Sequence, residues 1–316
     1  MPRPSGRRWI QGLLLGGPLL SALLLGGRAQ AEAPLRFVLI PKVSHPWYEA
    51  VRGGAEEAAT MLQRQTGTAA AIDYRPPARA NVKEQAAILQ AAIGSRPSGI
   101  TIDLLDAEPL KPLLAEAQRR GIPVNVFDSE APAGLPLTSI GNDFCLQARI
   151  ASERLVQLLG GKGEVAIMQG VPTAPNHAIR ARCHQQVFAR HGGIQVVATP
   201  ADNDNIRVAE EQALATMRRH PQLRGWVVSD AGGAIGVGRA IQTLGQTGRV
   251  QVVGLDDLPD LLTLIQTGVV DSTSATKPRA QGYWAVVNLW QQGRGAPTIE
   301  RIDTGISVQR APSPKP

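Results

Sequence analysis

Polar and charged side chains follow the apolar, strand-like segments of this chain, at the positions where those segments end. The first segment is followed by residues 42–48, which include a lysine, a histidine and two adjacent aromatic residues. Because ligands bind beyond the carboxyl ends of parallel strands, such residues could share one site. Carboxylates accept hydrogen bonds from hydroxyl groups, and aromatic faces pack against C–H groups, so these types suit a hydroxyl-rich ligand. Later segments are followed by Asp103, Asp128, Asn142, Asp204, Ser229 and Asp256.

Each of these residues also has a structural explanation, and the sequence leaves the choice open. Asp, Asn and Ser are preferred helix N-caps, so capping explains any single one of them about as well as ligand binding does. Trp47 and Tyr48 follow Pro46 at the start of a predicted helix, where they either stack on a ligand or anchor the helix. Arg180 lies early in a helix that starts at the same edge, although a helical arginine is usually a solvated surface charge.

Strand-like apolar runs alternate with amphipathic helical segments along the whole chain. The runs are continuous, as in VAIM and VQVVGL, which is typical of parallel strands buried on both faces. This alternation predicts βαβ units and parallel sheets. The predicted strands are residues 35–41, 69–74, 99–103, 123–128, 164–169, 194–199, 225–229 and 250–255.

A Pro- and Gly-rich connection at residues 129–143 breaks this alternation and contains one extra short strand without a helix. It argues against a single closed barrel and indicates a crossing between two sheets. Further crossings are expected at 272–278 and near 300–303. We therefore predict an α/β fold of two Rossmann-like lobes with parallel sheets, joined by a three-crossing hinge. The predicted segments are a first lobe of 35–140 plus 277–302, a second lobe of 141–276 plus 303–310, and a disordered tail of 311–316.

The first 31 residues have the pattern of an export signal. Basic residues at Arg3, Arg7 and Arg8 precede an apolar stretch, and a small-residue cleavage motif ends at Ala31. A membrane anchor is the alternative, but glycines and a proline interrupt the stretch, and a spanning helix needs about 20 predominantly apolar residues. Cleavage after Ala31 removes four arginines and no acid, so the formal charge of +7 falls to +3. The mature chain is thus predicted to be periplasmic, with little basis for binding nucleic acid.

The sequence contains no enzyme or metal-binding signature among the patterns we sought. G-x-S-x-G, H-E-x-x-H and Walker motifs are missing, and the His and Cys spacings match no zinc site. We therefore expect a protein that is not an enzyme and has no metal or cofactor. Cys145 and Cys183 lie in two separate predicted helices, and we expect free buried thiols rather than a disulfide.

With these residues in place, the chain resembles the ribose-binding-protein-like family of periplasmic sugar-binding proteins, the solute receptors of ABC importers. The resemblance covers residues 35–309. It is most specific in IPKVSHPWYEAVRGGAEEAA, RRGIPVNVFDSEAP, IGND, HPQLRGWVVSD and VQVVGLDDLPDLLTLIQTGVVDSTSA. It implies two lobes of the type I periplasmic binding fold that close around one ligand.

The resemblance also implies a set of ligand-binding residues. The positions that keep the residue type of the family are Trp47, Tyr48, Asp128, Arg180 and Asp256. The positions that differ are His45, Asp103, Ser129, Ser229 and Thr276, the last near the family's hinge Gln. Lys42 and Asn142 complete the expected site. Because Ser129 and Ser229 replace donors that a pentose would use, ribose is not the expected ligand. Lys42 and Asp103 could restore charge complementarity for a different polyol, an amino sugar or a non-sugar.

The resemblance implies a monomer that delivers a sugar to the membrane permease of an ABC transporter. A sensory binding protein that presents its ligand to a membrane sensor kinase or chemoreceptor is the alternative, because one fold serves both roles. A transcription regulator of the lactose-repressor type shares the fold but requires an N-terminal helix-turn-helix, where this chain has the predicted export signal.

Overall fold

The computed structural model describes residues 33–311. The predicted export signal at 1–31, and all but the first residue of the predicted tail at 311–316, lie outside the described residues. Within the described range, every helix is too short or too polar to span a membrane.

The first lobe is a six-stranded sheet covered by helices. Its strands run in the order β11-β5-β4-β3-β1-β2, and all neighbouring pairs are parallel. The strands are β1 (Leu35–Ile40), β2 (Ala70–Tyr74), β3 (Gly99–Ile102), β4 (Val124–Phe127), β5 (Thr138–Gly141) and β11 (Arg301–Asp303). The helices are α1 (Pro46–Thr66), α2 (Val82–Gly94), α3 (Ala107–Arg119) and α9 (Pro278–Gln292).

The second lobe repeats this plan with one difference at the edge. Its strand order is β12-β10-β9-β8-β6-β7, and β12 pairs with β10 antiparallel while the other pairs are parallel. The strands are β6 (Lys162–Met168), β7 (Gly193–Ala198), β8 (Leu223–Val228), β9 (Gln251–Leu255), β10 (Ser272–Ala275) and β12 (Ser307–Arg310). The helices are α4 (Phe144–Leu158), α5 (Pro175–Phe188), α6 (Ile206–Arg219), α7 (Gly233–Thr243) and α8 (Pro259–Gln266).

The central strands are buried along most or all of their length, which explains their continuous apolar sequences. β3, β4 and the last four residues of β8 are buried at every position. The α/β fold with mostly parallel sheets that the sequence predicts is confirmed. The eight strands predicted from apolar runs all occur, and the extra strand in the 129–143 connection is β5.

The segments that cross between the two sheets are shorter than predicted. Residues 272–275 were expected to be part of a crossing, but they form β10 inside the second sheet, so this expectation is wrong. The chain crosses at residues 276–277, just before α9. The third crossing lies at residues 304–306, because residues 301–303 pair with β5 as strand β11. The first crossing lies at residues 142–143, and the predicted lobe boundary at 140/141 falls inside β5.

Helix α9 returns to the first lobe and packs directly against α1. A side chain at Gly54 would collide with the backbone of Arg279, and one at Gly282 with the backbone of Val51. Glycine at these two positions allows the two helix backbones to touch, as close approach requires. This contact holds the start of α1, which carries Trp47 and Tyr48, against the first lobe.

Cys145 and Cys183 form a disulfide bond, so the prediction of free thiols is wrong. Cys145 lies in α4 and Cys183 in α5, and only β6 separates these helices in the chain. The two helices pack side by side, with the two Cα atoms 5.4 Å apart, within the range that a disulfide spans. Sequence distance suggested separation, whereas the βαβ geometry places successive helices next to each other.

Candidate functional site

A narrow cavity lies between the carboxyl ends of the two sheets. Its volume is about 10 Å³, roughly the room that one water molecule needs. Both lobes contribute to its wall, because the loops after β1 and β4 meet α5 and the loops after β7, β8 and β9. The lining residues are Lys42, His45, Trp47, Tyr48, Asp128, His177, Arg180, Asp204, Asp230, Ala231 and Asp256.

The start of α1 forms the aromatic part of the wall. Trp47 and Tyr48 pack edge to face, with ring centroids 5.0 Å apart, and both are buried. The Tyr48 hydroxyl donates to Asp103 Oδ2 over 2.8 Å. Lys42 Nζ donates to the same oxygen over 2.6 Å. Burial raises the pKa of Asp103, and the charge of Lys42 opposes this shift. Asp103 thus fixes Lys42 and Tyr48 from behind.

Asp128 connects the two lobes. It follows β4 in the first lobe, and its carboxylate accepts hydrogen bonds from two side chains of α5 in the second. Asn176 Nδ2 donates to Oδ2 over 2.6 Å, and the Arg180 guanidinium approaches Oδ1 at 3.3 Å. All three side chains are buried, so this is a desolvated, charge-assisted contact.

The Arg180 side chain is buried and makes contacts on several sides, although other residues of its helix are exposed. Its side chain is only 1% exposed. Its Nε donates to Gln147 Oε1 over 2.9 Å, and one terminal nitrogen donates to the Ser229 carbonyl oxygen over 3.3 Å. Gln147 also accepts from Asn142 Nδ2 over 3.1 Å. The guanidinium lies 4.8 Å from the centre of the Phe144 ring, a cation–π contact.

A second connection between the lobes passes through Thr276 at a hinge crossing. Trp47 Nε1 donates to Thr276 Oγ1 over 3.0 Å. The Thr276 hydroxyl in turn donates to Asp256 Oδ1, which also accepts from the Thr276 backbone N–H at 2.9 Å. Burial raises the pKa of Asp256 to about 6, and the nearby charge of Arg180 opposes this shift. Thr276 is therefore hydrogen bonded both to Trp47 of the aromatic wall and to the Asp256 carboxylate.

The backbone is left-handed at several acidic positions of the cavity. Asp128, Asp204 and Asp256 have φ values of +41°, +61° and +67°. Residues other than glycine adopt this region at a cost, although Asn and Asp tolerate it best. Residues with such backbone strain are concentrated at functional sites. The left-handed backbone turns each strand end sharply, so that its carboxylate lies at the cavity instead of capping the next helix. The following helices α4 and α6 are capped by Asp143 and Asn205, and α8 begins after Leu258 without a side-chain cap.

Two histidines line the cavity as neutral rings. His45 Nδ1 accepts from the Trp47 backbone N–H, capping α1, and His177 Nδ1 accepts from the Val171 backbone N–H. Burial lowers the pKa of both rings; Asp204 partly opposes this at His45, and Lys42 adds to it at both. Since Nδ1 accepts in each ring, Nε2 carries the proton and is a donor.

Three acids of the second lobe lie together. Burial raises the pKa of Asp202, and the nearby charges of Asp230 and Asp204 raise it further. Burial raises the pKa of Asp230 to about 7, and the neighbouring charge of Asp204 raises it further. Asp230 Oδ2 accepts from the backbone N–H groups of Gly232 and Gly233, both at 3.0 Å, at the start of α7.

Of the eleven residues predicted from the sequence, the structure brings seven to the cavity wall. They are Lys42, His45, Trp47, Tyr48, Asp128, Arg180 and Asp256. The other four lie directly behind the wall. Asp103 holds Lys42, Asn142 holds Gln147, the Ser229 carbonyl holds Arg180, and Thr276 holds Asp256.

Other wall residues were outside the predicted set. Asp204 and Asp230 occupy strand ends that the sequence marks as polar, so position alone could have included them. His177 lies one turn before Arg180 on α5, a helical spacing that could also have found it. Nothing in the sequence singles out Asn176 and Gln147, which act by holding Asp128 and Arg180.

Comparisons with known proteins agree with this architecture. The model of the periplasmic binding protein domain family matches residues 36–297. The chain therefore belongs to this family, the class that its fold and its cleft define, and the resemblance inferred from the sequence is confirmed.

Individual relatives cover nearly the whole chain. The D-allose-binding periplasmic protein of Escherichia coli (strain K12) is 26% identical over 319 residues, covering 96% of this chain and 98% of the relative. An ABC transporter solute-binding protein from Burkholderia graminis C4D1M, solved in complex with D-arabinose, superimposes with a TM-score of 0.82 at 26% identity, covering 88% of this chain and 96% of that one. Another from Agrobacterium vitis, bound with alpha-D-tagatopyranose, gives 0.80 at 27% identity, with coverages of 87% and 94%.

Proposed function

We propose that this protein is the periplasmic solute-binding component of an ABC importer, and that it binds one sugar or sugar-like polyol between its lobes. The observation that carries the proposal is the cavity between the sheets, where carboxylates from both lobes stand beside an aromatic wall. Carboxylates accept hydrogen bonds from sugar hydroxyls, and Trp47 offers a ring for the C–H face of a sugar. The relatives named above bind D-allose, D-arabinose and D-tagatose.

The proposed role is binding and delivery without covalent chemistry. The described residues that line the cavity include no Ser, Thr or Cys that could act as a nucleophile. We propose that the mature protein is a monomer that begins at Glu32, after cleavage of the export signal, and does not bind nucleic acid. Mass determination of protein exported to the periplasm tests the cleavage site, and size-exclusion chromatography with light scattering tests the monomer.

Ligand identity is tested by a thermal-shift panel of pentoses, hexoses, polyols and amino acids. A ligand that binds only the folded state raises the melting temperature. We expect at least one sugar or polyol to raise it and amino acids to have no effect. We also expect ribose to rank below a larger or differently substituted sugar, because Ser129 and Ser229 offer short side chains. An amino acid as the strongest ligand would overturn the sugar assignment.

Closure is tested by small-angle scattering of the mature protein. Contacts such as Asp128–Arg180 join the two lobes, and a ligand that touches both lobes favours the closed arrangement. The radius of gyration should fall when the sugar found in the panel is added. Identical scattering curves with and without saturating sugar would contradict a clamshell.

A further inference from the structure

The two cationic side chains of the cavity are already paired with acids. Lys42 Nζ lies 2.6 Å from Asp103 Oδ2, and the Arg180 guanidinium lies 3.3 Å from Asp128 Oδ1. Both pairs are buried. Neither cation forms a salt bridge with Asp204 or Asp230.

Asp204 and Asp230 are left without such a partner. Within residues 33–311, no Lys, Arg or His side chain forms a salt bridge with either carboxyl group. Asp230 is 1% exposed and Asp204 is 8% exposed, and both line the cavity on the second-lobe side. Asp202 Oδ2 and Asp230 Oδ1 have no hydrogen-bond partner among the described residues. A buried carboxylate without a compensating charge is destabilising.

A polar atom beside these acids also lacks a partner. His45 is 7% exposed, and its Nε2 has no hydrogen-bond partner among the described residues. The Nε2 atom carries the ring proton, because Nδ1 accepts from Trp47 N. Of the charged groups that act on His45, Asp204 and Lys42 are the strongest. The cavity therefore offers acceptors with surplus negative charge and one donor within a small region.

We propose that the ligand carries a protonated amine, placed against Asp204 and Asp230, with a neighbouring hydroxyl oxygen accepting from His45 Nε2. An ammonium group has three donors and no acceptor. It can therefore hydrogen bond to the carboxylate oxygens and also neutralise their charge, whereas a hydroxyl only hydrogen bonds to them. An amino sugar or amino polyol has this combination of groups. The inference rests on the proposed function, since it assigns one substituent of the same ligand. Burial and the charge of Asp204 raise the pKa of Asp230, as expected for a buried acid that lies beside another negative charge and forms no salt bridge with a cation among the described residues.

The test compares amino sugars with their parent sugars on the mature wild-type protein at neutral pH. The panel contains hexoses with the amine at carbon 2, 3 or 6 and an imino sugar, each beside the matching neutral compound. We expect calorimetry to show at least one amine binding about tenfold or more tightly than its parent, which corresponds to about 1.4 kcal/mol.

Asp204→Asn keeps the shape of the side chain and removes its charge. In this variant, the preference for the amine over its parent, compared within the same variant, should fall to within about threefold. Asp260→Asn is the matched control, because Asp260 is an exposed acid of the same lobe that pairs with Arg239. The control should keep the wild-type preference. If Asp204→Asn does not fold, the wild-type comparison decides alone.

Parent sugars that bind as tightly as or more tightly than every amine would overturn this inference and leave the proposed function standing. A retained amine preference in folded Asp204→Asn would overturn the assignment to Asp204. If no sugar, neutral or cationic, binds the folded protein, the inference and the proposed function both fall.

Discussion

The two lobes share one strand order but use it differently at the cavity. In both sheets the chain runs through the same sequence of neighbours, and only the last strand differs, parallel in the first lobe and antiparallel in the second. In the first lobe, Lys42 and Tyr48 both donate hydrogen bonds to the Asp103 carboxylate. In the second, Asp204 and Asp230 form no salt bridge with a Lys, Arg or His among residues 33–311. The comparison shows that the strand order determines where the strand ends lie. The residue types at those ends determine the charge of each side of the cavity.

The lobes also differ in how they are stabilised. The disulfide joins α4 and α5 of the second lobe, the two helices that carry Gln147 and Arg180. The first lobe relies on the direct contact of α1 with α9, which needs Gly54 and Gly282. Arg180 links the two designs, because it extends from the second lobe to the Asp128 carboxylate of the first. Substitutions at the disulfide and at Arg180 test whether the stability of one lobe depends on the other.

The largest effect is expected from Arg180→Met. The change leaves Asp128 buried without its cation, and breaking a buried pair on one side costs about 3–5 kcal/mol. Urea unfolding should show a loss of this size, and calorimetry should detect no sugar binding.

Arg182→Met is the control for this prediction. Arg182 lies on the same helix but is exposed, so the variant should retain stability within about 0.5 kcal/mol and should bind sugar normally. Equal losses for the two variants would show that the helix, rather than the Asp128 contact, is sensitive to substitution.

A somewhat smaller effect is expected from the double change Cys145→Ser and Cys183→Ser. The disulfide closes a loop between residues 38 apart in sequence, and removal should destabilise the second lobe by about 2–4 kcal/mol. Hydrogen exchange should show the loss in α4 and α5 and little change in the first lobe. Adding a reductant should destabilise the wild type and leave the double variant unchanged. Uniform loss of protection in both lobes would remove this difference between them.

The smallest of these effects depends on pH. The raised pKa of Asp256, about 6, lies above its usual value near 4, so between these values the folded chain holds a proton that the unfolded chain has lost. This contribution to stability is present below about pH 4 and is lost as pH rises through 6. Asp256→Asn removes the loss, so the ligand-free variant should exceed the wild type by about 1–3 kcal/mol at pH 8 and match it at pH 4. A difference independent of pH would contradict the raised pKa.

The strand ends of this site were predictable because their signal is local. A buried parallel strand is a continuous apolar run, and the polar residue that follows it lies at the cleft. Strand β10 was missed because Ser272–Ala275 has no apolar run; its burial comes from its neighbours β9 and β12. The disulfide was missed because it depends on the packing of α4 against α5. Gln147 and Asn176 act through contacts with distant residues, which sequence spacing does not reveal.

The central claim is that one ligand is bound by both lobes at once. Calorimetry with the best sugar of the panel tests it most directly, using Asp128→Asn from the first lobe and Asp256→Asn from the second. Truncating one partner of a buried charged hydrogen bond costs about 2–5 kcal/mol, so each variant should lose about 30-fold or more in affinity. Asp260→Asn should bind like the wild type. If either cavity variant, shown to be folded, retains wild-type affinity, the ligand is not held between the lobes by these carboxylates.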